Sequence, residues 1–106
     1  MVAAADSHSE EMLRMNYFAH RSPVHGRKTS RDRVKRAGAD PLRIAENLYQ
    51  CSGYKTETVA LRAILSWMQS EAHVRNILDP RLSRLGVGVY EKGGTFYFTQ
   101  VFSGDS

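Results

Sequence analysis

Four side chains in this 106-residue sequence have the chemistry to converge on one ligand: His20, Glu46, Glu71 and His73. Two imidazoles and two carboxylates make a donor set for a borderline divalent cation such as zinc, with water completing the shell. Spacing alone does not select that chemistry. There is no H-E-x-x-H helix and no cysteine cluster, and the pair Glu71 and His73 does not fall on one face of a continuous helix. The same residues fit structural duties equally well: a capping Glu46, a solvated Glu71 and two hydrogen-bonded histidines. Glu71 falls where a long helix should end, a turn that favours cations, so it calls for exposure or a shared site. His8 and His25 read as surface histidines.

Nucleophilic chemistry has less support. Cys51, the single cysteine, has no neighbour that would lower its pKa, and it reads as a packed or surface residue. Ser22 and Ser70 lie near His20 and His73 in sequence, but no G-x-S-x-G elbow accompanies them. Gly86-x-Gly88 is followed by no helix, so it is a close-packing signal and not a phosphate loop.

Several elements must position these groups. A helical pattern runs from Asp6 to Phe18, with Met12, Met15 and Ala19 at apolar spacing and Asp6 or Ser7 as the cap. Ala19 to Thr29, with Pro23 and Gly26, reads as an ordered loop carrying His20 and His25. Ser30 caps a short basic helix from Arg31 to Ala37, closed by Gly38. Leu42 to Gln50 reads as one or two helical turns, with Ile44, Ala45 and Leu48 on one side and Glu46 and Asn47 on another. Thr56 caps the strongest helix, Glu57 to Ser70, with Val59, Ala60, Ala63, Ile64, Trp67 and Met68 along its apolar stripe. Val74 to Leu78 adds a turn before Asp79-Pro80. Beyond it, Arg84–Tyr90 and Thr95–Phe102 flank Lys92-Gly93-Gly94 as an antiparallel hairpin. The glycines at 86 and 88 leave one face of its first strand bare, so a helix or ligand can approach the backbone closely.

Composition bounds the whole. At 12.0 kDa, with 42% hydrophobic and 25% charged residues, the chain fits one domain, residues 1–106, with a core that needs no disulfide. No apolar run approaches the roughly 20 residues that span a bilayer. The opening M-V-A-A-A-D-S has neither the basic nor the long apolar region of a signal peptide. The net charge of +4 comes mainly from Arg27, Lys28, Arg31, Arg33, Lys35 and Arg36. That stretch reads as a solvated helix face, or else as a patch drawn to an anionic surface such as cell wall or nucleic acid. It has no interleaved aromatics, so nucleic acid is not an expected partner.

Taken together, N-Y-F-A-H-R-S-P at 16–23, G-R at 26–27, D-R-V-K-R-A-G at 32–38, A-E-N-L at 45–48, S-W-M-Q-S-E-A-H-V-R-N-I-L at 66–78, L-G-V-G-V at 85–89 and F-T-Q-V-F at 98–102 carry a resemblance. In order and over roughly residues 12 to 102, they resemble the bacterial, SCP-like branch of the CAP superfamily of cysteine-rich secretory, antigen 5 and pathogenesis-related proteins. The resemblance implies an α+β fold, an α-β-α sandwich whose small antiparallel sheet is flanked by helices. It also implies a cleft formed by His20, Glu46 and His73, with Glu71 added by proximity. His20 and His73 are then the metal ligands, with Glu46 and Glu71 as further candidates for zinc or another divalent cation. Asn47, Ser70 and Gln100 would orient these groups. Family members usually begin with an earlier helix, so one face of the sandwich is expected to be open and a homo-oligomer could cover it.

The function the resemblance implies is a binding or interaction module of a secreted or cell-surface bacterial protein, placed outside the cell or in the envelope. Its partner would be a protein, a cell-wall component or a lipid. The alternatives are a metal-assisted hydrolase, with Glu46 or Glu71 as base, and a lipid- or sterol-binding module.

Overall fold

The computed structural model describes residues 1–105. Four helices, α1 (Val2–Met15), α2 (Ser30–Arg36), α3 (Thr56–Met68) and α4 (Glu71–Leu78), accompany three strands, β1 (Arg43–Ser52), β2 (Arg84–Lys92) and β3 (Thr95–Gly104). The sheet is antiparallel in the order β1-β3-β2, so both β1 and β2 are edges. This is the expected α+β sandwich, with helices on both faces of a small sheet.

Register assigns every side chain to a face. Gly86 opposes Val101 and Gly88 opposes Thr99, and these in turn oppose Glu46 and Leu48 of β1. That face receives α1 and α2. A Cβ at Gly88 would overlap the backbone of Ala5 and Asp6, and one at Gly86 would overlap Met1 and Val2, so the bare glycine face admits a helix as the sequence suggested. Ala4, Ala5 and Ser9 supply the small side of that contact, and Ser9 Oγ donates to the Gly88 carbonyl at 2.9 Å. The opposite face carries Tyr49, Phe96 and Phe98, on which Val59, Ala63 and Trp67 of α3 pack. Trp67 is buried, and its indole N–H donates to the Leu48 carbonyl at 2.9 Å, tying α3 to β1.

Several expectations need correction. Residues 42–50 do not form helical turns; all but the first lie inside β1. Helices cover both faces of this strand, so residues of either parity are buried and the period of two is masked. The long helix ends at Met68, and Glu71 opens a separate helix with Ser70 at the N-cap position, its side chain making no capping bond. Thr29, not Ser30, caps α2, in a capping box with Asp32. Lys55, not Thr56, precedes α3, and α1 starts at Val2. Met15, Ile64 and Met68 are about half exposed and do not belong to the core, and Ala60 is also exposed. Leu61, Ile64, Leu65 and Met68 of α3, with Leu85, Val87 and Val89 of β2, leave apolar surface uncovered.

Candidate functional site

The capping box that starts α2 aims Arg33 inward, towards β1. Its side chain is 1% exposed and that of Glu46 is 3% exposed; Arg33 Nη2 donates to Glu46 Oε2 at 2.8 Å and to Oε1 at 3.1 Å. The same guanidinium donates to the carbonyls of Arg27 and His20, each at 3.0 Å. It therefore fixes both the carboxylate and the loop that brings His20 to it. Glu46 Oε1 lies 3.0 Å from His20 Nδ1. An ionised carboxylate only accepts, so Nδ1–H donates, and in the neutral ring Nε2 carries the free lone pair, on an imidazole 63% exposed. Burial raises the Glu46 pKa, but the His20 hydrogen bond and the Arg33 charge outweigh it, and the net shift is downward. Glu46 is held as an anion.

A second buried acid holds the loop from behind. Glu11, at 1% exposure, accepts from Tyr17 Oη at 2.8 Å and from Ser22 Oγ, and it pairs with Arg27 Nε at 3.1 Å. Burial raises its pKa, and the bonds from Ser22 and Tyr17, with the Arg27 charge, bring it below the ordinary value. His8 is fully buried, which corrects the surface expectation, and its Nε2 donates to the Ala19 carbonyl at 2.8 Å. Burial lowers its pKa and keeps it neutral. The loop is thus anchored at Ala19, His20 and Ser22 by His8, Arg33 and Glu11. His25 is exposed, as expected.

The other expected residues lie across the sheet. Glu46 and Asn47 are consecutive on β1, so their side chains leave opposite faces. Asn47 is buried on the α4 side, where its Nδ2 donates to the His73 carbonyl at 3.2 Å and to Gln100 Oε1 at 3.1 Å. Asn76 donates to Asn47 Oδ1 at 2.9 Å and completes this polar cluster. His73 is partly buried, and its Nδ1 has no hydrogen-bond partner. Glu71 does not join the cluster. It sits in the first turn of α4, where a helix favours an acid, is 82% exposed, and pairs with Arg75 at 2.6 Å. Cys51 is a free thiol whose pKa is pushed up by burial, as befits an inert packed residue.

The imidazoles fit a divalent cation better than the carboxylates do. His20 Nε2 and His73 Nδ1 are unspent, whereas Glu46 is engaged by Arg33 and His20, and Glu71 by Arg75. Among the described residues, no three His, Cys, Asp or Glu side chains are grouped to hold a metal. A closed zinc cage does not fit.

Sequence reasoning missed Arg33, Glu11, Tyr17 and Asn76. For Glu11 there was a signal, because with His8 and Met12 it shares the helical spacing of one buried face. For Arg33 there was none, because half of the basic stretch is engaged internally: Arg27 with Glu11, Arg31 with Asp40 and Arg33 with Glu46.

An α-β-α sandwich with a buried acid orienting an exposed histidine at its sheet edge defines the class. The family model for the cysteine-rich secretory protein family, CAP, matches residues 1–102, and the chain belongs to that family. It is 37% identical over 101 residues to the uncharacterized protein YkwD of Bacillus subtilis (strain 168), covering 95% of this chain and 36% of that one. It is 34% identical to the uncharacterized membrane protein YlbC of the same organism, covering 92% and 25%. Among solved structures, an extracellular protein containing a SCP domain from Bacillus anthracis matches with a TM-score of 0.77 at 33% identity, over 97% of this chain and 31% of that one. An outer surface protein of Borrelia burgdorferi shares the fold, with a TM-score of 0.71 at 13% identity, over 97% and 71%. The chain spans about a third or less of the two Bacillus subtilis relatives. No helix of the described residues is long and apolar enough to cross a membrane.

Proposed function

We propose that this CAP domain is a binding module of a secreted or cell-surface bacterial protein, and that its ligand contact is Nε2 of His20 at the open edge of β1. One observation carries the reading: His20 is two-thirds exposed, yet its other nitrogen is fixed 3.0 Å from a carboxylate that Arg33 keeps ionised. A carboxylate behind an imidazole sets its tautomer and ring orientation, as behind metal-ligating histidines. A divalent cation such as zinc would be held through Nε2 of His20, with water completing the shell; His73, on the α4 side with Asn47, is not placed to share it. The extracellular and surface descriptions of the two structural neighbours support the location.

Zinc should raise the melting temperature of the wild type and of His73→Ala, whose imidazole lies on the α4 side of the sheet, and not of His20→Ala, because a ligand that prefers the native state stabilises it. Equal shifts in all three proteins would remove the site. The same dyad favours a second reading, in which His20 serves as a general base with Glu46 stabilising the imidazolium. Glu46 itself is the poorer base, since both its oxygens accept from Arg33. A hydrolysis of peptide or ester libraries that disappears in His20→Gln would establish that reading.

A further inference from the structure

Beside His20 lie two cations that the fold does not use. Arg21 and Lys28 make no side-chain hydrogen bond or ion pair among the described residues, whereas Arg27, Arg31 and Arg33 are all paired. The backbone puts them together, because Ser22 N–H donates to the Lys28 carbonyl at 2.9 Å and closes the loop between them. With His20, Thr29 and Ser30 they line a hollow of about 170 Å³, and on their other side they line a second one of about 470 Å³ with Tyr17, Ala19, Ser22 and Pro23. The Thr29 hydroxyl accepts from the Asp32 N–H at 3.1 Å and so keeps its own hydrogen to donate. Asp32 accepts from the Thr29 N–H, and Glu46 is neutralised by Arg33, so the nearby acids are already engaged.

We propose that this hollow binds the phosphate group of the module's ligand, with Arg21 and Lys28 as its counter-charges. The inference rests on the His20 reading for its place and names the ligand's chemistry. A tetrahedral anion with several acceptor oxygens suits the donors that these lining residues carry: a guanidinium, an ammonium and two hydroxyls. A hollow of about 170 Å³ suits such a group and is too small for a drug-sized body. The body attached to the phosphate would lie in the larger neighbouring hollow, against Tyr17 and Pro23.

The test is an NMR titration of the whole domain with inorganic phosphate, phenyl phosphate, its methyl diester and phenol. Saturable shifts of the amides at 20–22 and 28–30, tighter for phenyl phosphate than for phosphate and absent with phenol, are expected. The diester binding as well as the monoester would point to a polymeric phosphodiester, and the monoester binding better to a free phosphate ester. In Arg21→Gln/Lys28→Gln the affinity should fall about ten-fold or more, since both charge-assisted contacts go. In Lys35→Gln/Arg36→Gln, which removes equal charge outside the hollow, the affinity should stay within about two-fold, as screening of distant charges requires. Both substituted pairs are on the surface, and unchanged melting temperatures verify folding. Shifts that do not saturate, or an equal loss in both double variants, would overturn the proposal. Zinc binding without phosphate binding overturns this inference alone, and phosphate binding without zinc binding overturns only the metal reading.

Discussion

Replacing Arg33 by methionine removes its bonds to both oxygens of Glu46 and leaves a carboxylate of 3% exposure with only His20 at hydrogen-bond distance and the neutral His8 3.9 Å away. Removing one partner of a buried pair costs about 3–5 kcal/mol, because the remaining charge stays desolvated. Against a total stability of about 5–15 kcal/mol for a domain of this size, that is a large share. The sign with pH follows from Glu46. Its folded pKa lies below the unfolded value, so its pairing contributes stability above the ordinary carboxylate range, and this is lost as pH falls through the folded pKa. In Arg33→Met burial dominates and the pKa climbs. The variant's deficit is therefore greatest near neutral pH and shrinks in acid, where protonation removes the buried charge. Urea unfolding at both pH values measures it, and Arg33→Met/Glu46→Gln should recover most of the neutral-pH loss. A single-variant loss below about 1 kcal/mol, a value typical of exposed pairs, would refute the reasoning. So would a double variant no better than the single.

Gly88→Ala should cost about 3 kcal/mol or more and detach α1 from the sheet, since its Cβ meets helix backbone that cannot yield; loss of amide-exchange protection along α1 would show it. Tyr17, pushed up to about 12 chiefly by burial and further by its bond to Glu11, should ionise well after an exposed tyrosine. Its neutral form is favoured in the fold, so the stability it contributes holds below about 10 and is lost as pH rises through about 12. Ultraviolet titration of wild type against Tyr17→Phe isolates that phenol, and Glu11→Gln should bring it down. Glu71→Gln should leave both melting temperature and zinc response unchanged, because Glu71 is solvated and paired only with Arg75. A lost zinc response would restore it to the cleft.

Much of the framework was legible because it is local. The hairpin follows from a period of two around Gly93-Gly94, α3 from the spacing of Val59, Ala63 and Trp67, and the close approach of α1 from the two strand glycines. The pairing of His20 with Glu46 was named from family motifs and not from spacing, since 26 residues separate them and no periodicity links them. The strand at β1 was hidden by its own burial on two faces. His8 and Arg33 were read as surface residues because polar type predicts exposure unless the chain supplies a buried partner.

By itself, then, the sequence determined most of the elements and the inventory of titratable groups, since propensity and spacing act over a few residues. Tertiary structure decided which of those groups meet. Register sent Glu46 to one face of the sheet and Asn47 to the other, and the pairing of β1 with β3 placed Glu46 under Arg33 and His20, with α4 and His73 on the far side. A break at Ser70 moved Glu71 from the end of one helix to the start of the next, where its charge is favoured without a ligand. The buried charge balance of Glu11 with Arg27 and Glu46 with Arg33 depends on contacts across the fold, and desolvation makes those contacts obligatory.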